Sequence, residues 1–516
     1  MSIGRRSATD LLIGISLVNV LFLNVWRLLF DSGTPAAFYR NVSRSDYLAA
    51  LVCTLGGGLL LGGVVILVRN MDQPWLVEVA RCCFLATALN VADSLRRLRD
   101  APSPEVGRFF DWAEQLGRPA FIVIGSMLVV LVVVFVLVII VLAWHYRRPL
   151  ASGYALVLIC VSPFIAVTVA RSVWSLATLR FDQFAAVPNA RPSSSAPSAN
   201  RVVVVLFDEL DYGMVFGDRE PDPSLPEFDR FRAASSSFDN VQSPARNTSE
   251  SIPSYLFGHA VQKLEPLGPR AFELHLQDGR RVRGDSLTSF IERAAHTGVR
   301  AAVVGFYLPY CRLPLARTAV HCRWQPFVAD GIMSASASTV TKAVVRQLRD
   351  LNPLNNRRTH MRRVQQSVRI GTDFAADPRL DLVFLHLPIP HQPSVYDRQR
   401  KRYVALSLRD GYINNLALAD RVLGEIRRAM EASGTWDSST VIVTSDHGWR
   451  ANPARTSDDT RHIPFLVKAK EIAGAVRDST PLNSLLLGNL VLDVLNGAPA
   501  SAPEVIRVLS ARPSFP

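Results

Sequence analysis

Three short apolar runs of the sequence end in polar side chains that could bind a metal ion or act on a substrate, namely Asp208 and Glu209, His386 and His391, and Asp446 and His447. Such runs are typical of buried strands, and parallel strands present their carboxyl ends at one edge of a sheet. We therefore expect these groups to converge, although they lie far apart in the sequence. One such strand end would also fit an ordinary helix cap, whereas the whole set favours a zinc or manganese site.

Thr248 is the candidate nucleophile. Small polar residues follow it, then Pro253 and an apolar stretch, so its hydroxyl is expected at or near the first turn of a helix. Free amide groups there would face a bound phosphate, and a metal-bound hydroxyl loses its proton readily. Taken alone, the segment fits ordinary capping by Asn247 or Thr248 better, with Glu250 in the first turn.

The elements that must position these residues alternate along the chain. Strands are predicted at residues 202–207, 300–306, 380–387 and 440–445, and helices at residues 286–297, 335–349, 403–432 and 484–495. This alternation predicts an α/β doubly wound, mainly parallel sheet with helices on both faces. We expect this catalytic domain to span residues 201–516, after a linker rich in proline, serine and alanine at residues 182–200.

The first third of the chain, residues 1–181, predicts a transmembrane domain of four or five helices. Uncharged or nearly uncharged runs long enough to cross a hydrocarbon core about 30 Å thick lie at residues 11–30, 47–68, 121–144 and 150–170. Residues 74–92 contain Glu78 and Arg81. They predict either a fifth span whose charged pair faces the other helices or a helix at the membrane interface.

The number of spans decides the side of the membrane on which the second part of the chain lies. With Arg5 and Arg6 in the cytoplasm, five spans place it outside and four place it inside. Its only cysteines, Cys311 and Cys322, predict either a disulfide in an oxidising compartment or two reduced thiols. Because an oxidising compartment lies outside the cytoplasm, a disulfide would favour five spans, which place this part of the chain outside.

The formal net charge of +13 favours anionic partners. Arginines are densest at residues 346–369, without the interleaved aromatic residues of proteins that bind single-stranded nucleic acid. Such a run is typical of a solvated helix face. For a chain with membrane spans we expect lipid headgroups as partners, and no nucleic acid.

Several segments resemble those of a known family. The Thr-x-x-Ser-x-Pro pattern of residues 248–253 resembles the nucleophile segment of the membrane-bound lipid A phosphoethanolamine transferases. The segments FDELDYG, HLPIPHQP, TSDHG and RHIPFLV resemble successive motifs of the alkaline phosphatase and sulfatase superfamily, which includes the lipoteichoic acid synthases. The resemblance covers residues 201–468 and implies the fold of that superfamily behind a membrane anchor.

The resemblance also implies roles for individual residues. A divalent metal would be bound by Asp208, Thr248, Asp446 and His447, with Glu209 a further ligand, and substrate by His391 and by His462, which alternatively binds a second metal. His386 is assigned to the substrate site, although a histidine within an apolar strand is more often a core residue. The chain departs from the transferases at Asp208, where they carry glutamate, and it lacks their several disulfides.

These observations predict a metal-dependent transferase that moves a phosphoethanolamine or phosphoglycerol group from a phospholipid to a glycan or glycolipid of the cell envelope. Thr248 would carry the group as a covalent phosphothreonine. The expected location is a bacterial-type plasma (inner) membrane, with the catalytic domain on the outer side. One alternative is a phosphodiesterase, phosphatase or sulfatase-like hydrolase, in which water resolves the intermediate. Another is a non-catalytic scaffold or transport partner that keeps the fold.

Overall fold

The computed structural model describes residues 2–31, 34–71, 73–98, 141–142, 144–190, 200–217, 223–326, 338–351, 353–405, 411–451, 459–470 and 476–511. The chain divides into two compact units. The first comprises Met1–Gly33, Val42–Arg180 and Ala335–Asn352, and the second comprises Thr34–Asn41, Phe181–Ser334 and Pro353–Pro516. Each unit therefore includes a short segment that interrupts the other in sequence.

The helices in chain order are α1 (Ser2–Leu21), α2 (Leu23–Phe30), α3 (Arg44–Leu51), α4 (Gly57–Arg69), α5 (Pro74–Leu98), α6 (Arg147–Val161), α7 (Pro163–Thr178), α8 (Tyr212–Phe216), α9 (Pro226–Ala233), α10 (Thr248–Phe257), α11 (Phe290–His296), α12 (Leu315–Thr318), α13 (Val340–Asp350), α14 (Pro353–Ala376), α15 (Gly411–Ala432), α16 (Leu487–Leu495) and α17 (Ala502–Ser510). A π-helical segment, Val52–Gly56, joins α3 to α4. The first unit contains α1 to α7 and α13, and the other helices belong to the second.

The first unit contains the apolar helices. Two of them, Arg44–Arg69 and Pro74–Arg96, are long and apolar enough to cross a membrane. The bent pairs α1–α2 and α6–α7 qualify if each pair counts as one span, which gives up to four spans among the described residues. These regions coincide with the predicted runs at residues 11–30, 47–68, 74–92 and 150–170. The predicted span at residues 121–144 lies outside the described part of the chain.

Glu78, the acidic residue within α5, is paired. It accepts hydrogen bonds from Arg81 Nη1 at 2.6 Å and from Arg147 Nε at 2.6 Å. The expected pairing with Arg81 one turn away is therefore present, and Arg147 of α6 adds to it. A carboxylate paired in this way costs much less to place in an apolar helix than an isolated one does.

The strands in chain order are β1 (Arg201–Asp208), β2 (Ser236–Gln242), β3 (Val261–Pro266), β4 (Phe272–Leu276), β5 (Arg281–Arg283), β6 (Ala301–Phe306), β7 (His321–Gln325), β8 (Leu382–Pro390), β9 (Tyr396–Asp397), β10 (Arg402–Tyr403), β11 (Ser439–Ser445), β12 (His462–Lys468), β13 (Arg477–Asp478) and β14 (Leu482–Asn483). Within the described residues the main sheet has the order β13-β2-β12-β11-β1-β8-β6-β7, and β14 pairs with β2. The strands β11, β1, β8, β6 and β7 are parallel neighbours, whereas β12 is antiparallel to β11 and β2. The prediction of an apolar helical region followed by an α/β domain is confirmed. The sheet is mixed rather than wholly parallel, because β12 is antiparallel to both of its neighbours.

Strand β1 lies at the centre of this sheet, with β11 and β8 on either side. All of its residues are buried. Val202, Val204 and Leu206 pack into the core on one face of the sheet, while Val203 and Val205 pack into the core on the other. A strand covered on both faces needs a continuous apolar run, which is why this stretch of the sequence identifies it.

Two segments outside the predicted catalytic domain pack into the second unit. The 3₁₀ helix Pro35–Tyr39 is one of them. The other is the start of the predicted linker, where the amide of Val187 donates to the carbonyl of Cys311 at 2.8 Å. Cys311 and Cys322 form a disulfide beside this segment. The second unit thus begins before the first strand of its sheet.

We expect Arg300→Met to destabilise the second unit by about 3–5 kcal/mol, because it removes the guanidinium that pairs with the buried carboxylate of Asp381. Arg300 Nε and Nη2 each donate to Asp381 at 2.9 Å, and the two residues are only 9% and 3% exposed. Denaturant unfolding of the purified chain in detergent, followed by tryptophan fluorescence, measures the loss.

The matched control is Arg379→Met. Arg379 also pairs with an aspartate, Asp377, but its side chain is 81% exposed, so the expected loss of stability is small. Equal losses for the two variants would contradict this interpretation of the buried pair.

Candidate metal centre and active site

Three of the predicted ligands converge at the carboxyl edge of the sheet. Asp208 ends β1, while Asp446 and His447 directly follow β11, its parallel neighbour. Each offers one ligand atom, and these atoms all lie within 4.8 Å of one another. The three side chains are almost completely buried. Residues more than 200 positions apart in sequence therefore form one cluster, hereafter the acidic cluster.

Asp446 is held in place by backbone amides. The amides of Glu209 and His447 donate to its Oδ1 at 3.0 and 2.9 Å. Its other oxygen, Oδ2, accepts a hydrogen bond of 2.7 Å from the hydroxyl of Thr248. One oxygen is thus fixed by the backbone, and the other faces the proposed nucleophile.

Thr248 is the first residue of α10 and is only 6% exposed. Besides its bond to Asp446, its Oγ1 lies 3.3 Å from His447 Nε2 and 3.5 Å from Asp208 Oδ1. Helix α10 is anchored by Tyr255, whose hydroxyl donates to the carbonyl of Ser445 at 2.8 Å. The helix therefore carries the threonine hydroxyl into the acidic cluster.

The alternative of ordinary side-chain capping does not describe this helix. Asn247 occupies the N-cap position with extended backbone angles, but its side chain makes no capping hydrogen bond. Its Oδ1 accepts a hydrogen bond from Arg450 Nη1 at 3.1 Å instead. Both polar side chains at the start of α10 are thus directed at neighbouring residues of the site.

The surroundings of Asp208 and Asp446 shift the pKa values of their carboxyl groups in opposite directions. The pKa of Asp208 is raised well above its usual range, because the group is buried and the negative charges of Asp446 and Glu209 lie nearby. The pKa of Asp446 is lowered: burial acts to raise it, but His447, His386 and the hydrogen bonds from Thr248 and the Glu209 amide outweigh burial. Without a cation, Asp208 therefore binds the proton that the pair retains.

The donor set fits a divalent metal. His447 Nδ1 lies 2.8 Å from the carbonyl of Gly448. A carbonyl can only accept a hydrogen bond, so Nδ1 carries the proton. The lone pair of Nε2 therefore faces the carboxylates of Asp208 and Asp446. Two carboxylates, this imidazole nitrogen and the hydroxyl of Thr248 together form the oxygen and nitrogen set that zinc or manganese binds.

Glu209 is buried beside the cluster, but its carboxylate is engaged elsewhere. Arg450 Nε donates to Glu209 Oε1 at 2.8 Å. The same guanidinium reaches Asn247 through Nη1 and lies 3.3 Å from His391 Nε2 through Nη2. In this structure Arg450, rather than the clustered ligand atoms, is the partner of Glu209.

His391 lies next to this arginine, and its role in substrate binding stays a prediction. Its amide donates to the carbonyl of Asp208 at 3.1 Å, which ties the loop after β8 to the end of β1. Its Nδ1 donates to the carbonyl of Gln392, so that Nε2 accepts from Arg450. Burial lowers the pKa of His391, and the ring is therefore neutral at neutral pH.

The remaining two histidines lie apart from the clustered ligand atoms. His386 is fully buried, its Nδ1 lies 3.0 Å from the hydroxyl of Tyr310, and burial lowers its pKa to about 4. This environment is that of a core residue. The ring of His462 stacks on Tyr212 at 4.2 Å, and its Nε2 donates to the carbonyl of Asp239 at 2.8 Å. The roles of both in substrate binding stay predictions.

Arg450 is a site residue that the sequence patterns do not single out, and they assign Asn247 only a role as a helix cap. Arg450 comes two positions after Gly448, just beyond the Asp-His-Gly segment, and Asn247 directly precedes Thr248. Their position next to recognised motifs is the one signal that could have found them. Their pairing with each other depends on the fold.

Residues 374–498 match the family model described as Sulfatase. The carboxyl-terminal domain is sulfatase-like. The matched segment contains His391, Asp446, His447 and His462, so the resemblance to the alkaline phosphatase and sulfatase superfamily, whose members are metal-dependent enzymes, is confirmed. No curated protein matches the chain.

Solved structures similar to this chain include a protein of the alkaline phosphatase superfamily from Vibrio parahaemolyticus. It has 16% identity over 63% of this chain and 72% of that chain, with a TM-score of 0.40. The phosphonate monoester hydrolase of Silicibacter pomeroyi has 13% identity over 61% and 78% of the two chains and a TM-score of 0.40. Murine ectonucleotide pyrophosphatase/phosphodiesterase 5 has 11% identity over 60% and 100%, with a TM-score of 0.37. Similarities of this size assign no activity to this chain.

We expect Asp208→Asn to raise the melting temperature of the metal-free protein and to abolish its stabilisation by zinc or manganese. Because the pKa of Asp208 is raised, the native state binds this proton more tightly than the unfolded chain, whose carboxyl pKa is about 4. Stability is therefore lost as pH rises from about 4. The advantage of the variant should be larger at about pH 8 than at about pH 5, as measured by thermal unfolding in detergent.

The control is Asp285→Asn, because the side chain of Asp285 is 66% exposed and pairs only with Arg283 among the described residues. It should change neither the pH dependence nor the response to metal. A variant at Asp208 that zinc still stabilises as much as the wild type would remove this residue from the metal site.

Proposed function

We propose that this chain is a membrane-bound phosphotransferase, which moves a phospho-headgroup from a phospholipid to a hydroxyl or phosphate of a cell-envelope glycan or glycolipid. The observation that carries the proposal is the position of the Thr248 hydroxyl, within 3.5 Å of all three residues of the acidic cluster. A scaffold has no need of a buried hydroxyl directed at two carboxylates and an imidazole. Apolar helices in the same chain would keep the site near lipid donors.

In the first step the Oγ1 of Thr248 would attack the phosphorus of the headgroup. A bond forms between this oxygen and phosphorus, and the bond from phosphorus to the glycerol oxygen of the lipid breaks. The proton given up by the hydroxyl of Thr248 is taken up at the glycerol oxygen, so that diacylglycerol leaves as a neutral alcohol. Asp446 Oδ2, 2.7 Å from the hydroxyl, orients it and accepts its hydrogen bond as it attacks. A bound zinc or manganese ion would supply the positive charge that lowers the pKa of the hydroxyl and offsets charge on the phosphoryl oxygens.

In the second step the acceptor oxygen would form a bond to phosphorus as the bond from phosphorus to Thr248 Oγ1 breaks, and the proton released by the acceptor would return to Oγ1. The guanidinium of Arg450 lies beside Asn247 and His391, where it is suited to bind a non-bridging oxygen of the transferred group. Its side chain is 41% exposed, so a substrate oxygen can reach it. The neutral ring of His391 would help to orient this arginine.

We also propose that the sulfatase-like domain lies outside a bacterial-type plasma membrane. The disulfide between Cys311 and Cys322 supports this side, because disulfides persist in oxidising compartments. An external domain would meet envelope glycans, which is the acceptor class that the resemblance implies.

The proposed function is tested with the full chain in vesicles that contain phosphatidylethanolamine, phosphatidylglycerol and a glycolipid acceptor, with zinc or manganese added. We expect Thr248→Ala to lower the rate of diacylglycerol release at least about 1,000-fold, and Thr248→Ser to retain part of the activity. The control is Thr297→Ala at the exposed end of α11. Full activity of Thr248→Ala would refute the covalent route.

The same assay separates a transferase from a hydrolase. A transferase yields a modified acceptor, and its diacylglycerol release rises when the acceptor is added. If water resolves the intermediate, free phosphoethanolamine or phosphoglycerol accumulates at the same rate without an acceptor. That outcome would replace the proposed transferase with a phosphodiesterase of the same fold.

For Arg450→Gln we expect a loss of about 100-fold in kcat/KM, because one donor to the phosphoryl group is removed. Arg450→Lys should recover part of the loss, since it restores the charge without the fork of donors. Arg428→Gln is the control, because Arg428 is a half-exposed arginine that pairs with Glu227 away from the site. Unchanged kcat/KM for Arg450→Gln would exclude Arg450 from substrate binding.

A further inference from the structure

Helix α13 belongs to the unit of the apolar helices, although in sequence it lies between β7 and α14 of the second unit. It packs against α3 within the first unit. Gln347 Nε2 donates to the backbone carbonyl of Asp46 at 2.8 Å, and the guanidinium of Arg346 pairs with the carboxylate of the same aspartate. Gln347 and Asp46 are fully buried, so these contacts fix the position of α13 on α3.

The contacts lie near one end of a helix that is long and apolar enough to cross a membrane. This helix, Arg44–Arg69, is charged only near its ends, because residues 47–68 are uncharged. An uncharged helical run of this length spans about 33 Å, which matches a hydrocarbon core about 30 Å thick. Asp46 directly precedes the run. In a bilayer it would therefore lie where the hydrocarbon core meets the headgroups, and α13 would lie there with it.

The side of α13 that faces away from α3 is apolar at its centre. Val345 and Leu348 are 42% and 51% exposed. They are three positions apart, so they lie on one face of the helix. They also stand on either side of Arg346 and Gln347 in the sequence, which places them at the level of Asp46. At that level they would meet lipid.

Basic side chains lie beside this apolar pair. Lys342 precedes Val345 by three positions and Arg349 follows it by four, so both are its neighbours on the helix surface, and both are exposed. Lys342 Nζ also donates to Ser338 Oγ at 3.3 Å. The only acidic residue in the sequence of α13 is Asp350, at its end. Apolar side chains flanked by basic ones are typical of helices that lie in the interface of a membrane with anionic lipids.

A bilayer fits this face better than a second copy of the chain does. A stable interface between two proteins buries about 800 Å² on each side. The exposed large apolar side chains of α13 are only Val345 and Leu348. A bilayer needs no such area on one helix, because it surrounds the whole unit at that level.

We propose that α13 is an interfacial helix, in which Val345 and Leu348 insert between the lipids of the chain's own membrane while Lys342 and Arg349 bind anionic headgroups. The partner is the surface of a bilayer that contains anionic phospholipid. This contact is independent of the reaction proposed at Thr248.

Fluorescence quenching by brominated lipids tests the depth of this face. The full chain is reconstituted in vesicles with one nitrobenzoxadiazole label, on Val345→Cys or on Leu348→Cys. The free cysteines are first replaced by alanine, namely Cys53, Cys82, Cys83 and Cys160. We expect bromine near the carbonyl end of the acyl chains to quench both labels at least about twofold more strongly than bromine near the methyl end. The reverse order, or no quenching by either lipid, would overturn the proposal.

Leu60→Cys is the internal control, because Leu60 is 72% exposed and lies near the middle of the uncharged run. A label there should be quenched more strongly by bromine near the methyl end. Quenching at Leu60 with none on α13 would refute the interfacial helix and leave the membrane span intact. Absence of quenching at all three labels would refute the interfacial helix together with the span.

The headgroup preference tests the basic residues. At equal mole fraction, brominated phosphatidylserine should quench the label on Val345→Cys at least about twofold more strongly than brominated phosphatidylcholine, because basic residues near the surface attract anionic lipid. Lys342→Gln combined with Arg349→Gln should remove the difference. The control combines Lys263→Gln with Arg281→Gln, two exposed basic residues of the second unit. Equal quenching by the two lipids, or a difference that survives loss of both basic residues of α13, would overturn the assignment of anionic headgroups.

Discussion

Two buried carboxylates held within reach of each other are the constraint on which the rest of the site depends. Asp208 and Asp446 end neighbouring parallel strands, so the sheet brings like charges together in a place that water hardly reaches. Such a pair costs stability unless hydrogen bonds, a proton or a cation offset it. Backbone amides hold Asp446, the imidazole of His447 faces the pair, and Asp208 takes a proton when no cation is bound. The same arrangement that costs stability prepares a metal site.

Much of this centre could be predicted from the sequence, because it depends on local patterns. A central strand buried on both faces needs the continuous apolar run before Asp208, and parallel neighbours must present Asp446 and His447 at the same edge. The position of the Thr248 hydroxyl could not be predicted in this way, since the segment taken alone fits ordinary capping better. It is the three-dimensional position of Oγ1, 2.7 Å from Asp446, that favours a nucleophile over a cap.

The features that could not be predicted from the sequence depend on packing between residues that are far apart in the chain. Nothing local indicates that Arg450 pairs with Glu209, or that strand β12 enters the sheet antiparallel to β11. The same holds for Tyr39, which lies in a segment between predicted membrane spans and yet belongs to the unit with the sulfatase-like domain.

The central claim is that Thr248 forms a covalent phosphoryl ester during turnover. The most direct test is a mass spectrum of the peptide that contains Thr248, taken from protein purified out of native membranes with its metal retained. We expect a phospho-headgroup on Thr248. A threonine that is unmodified in native membranes, and still unmodified after incubation with lipid extract and zinc or manganese, would contradict it.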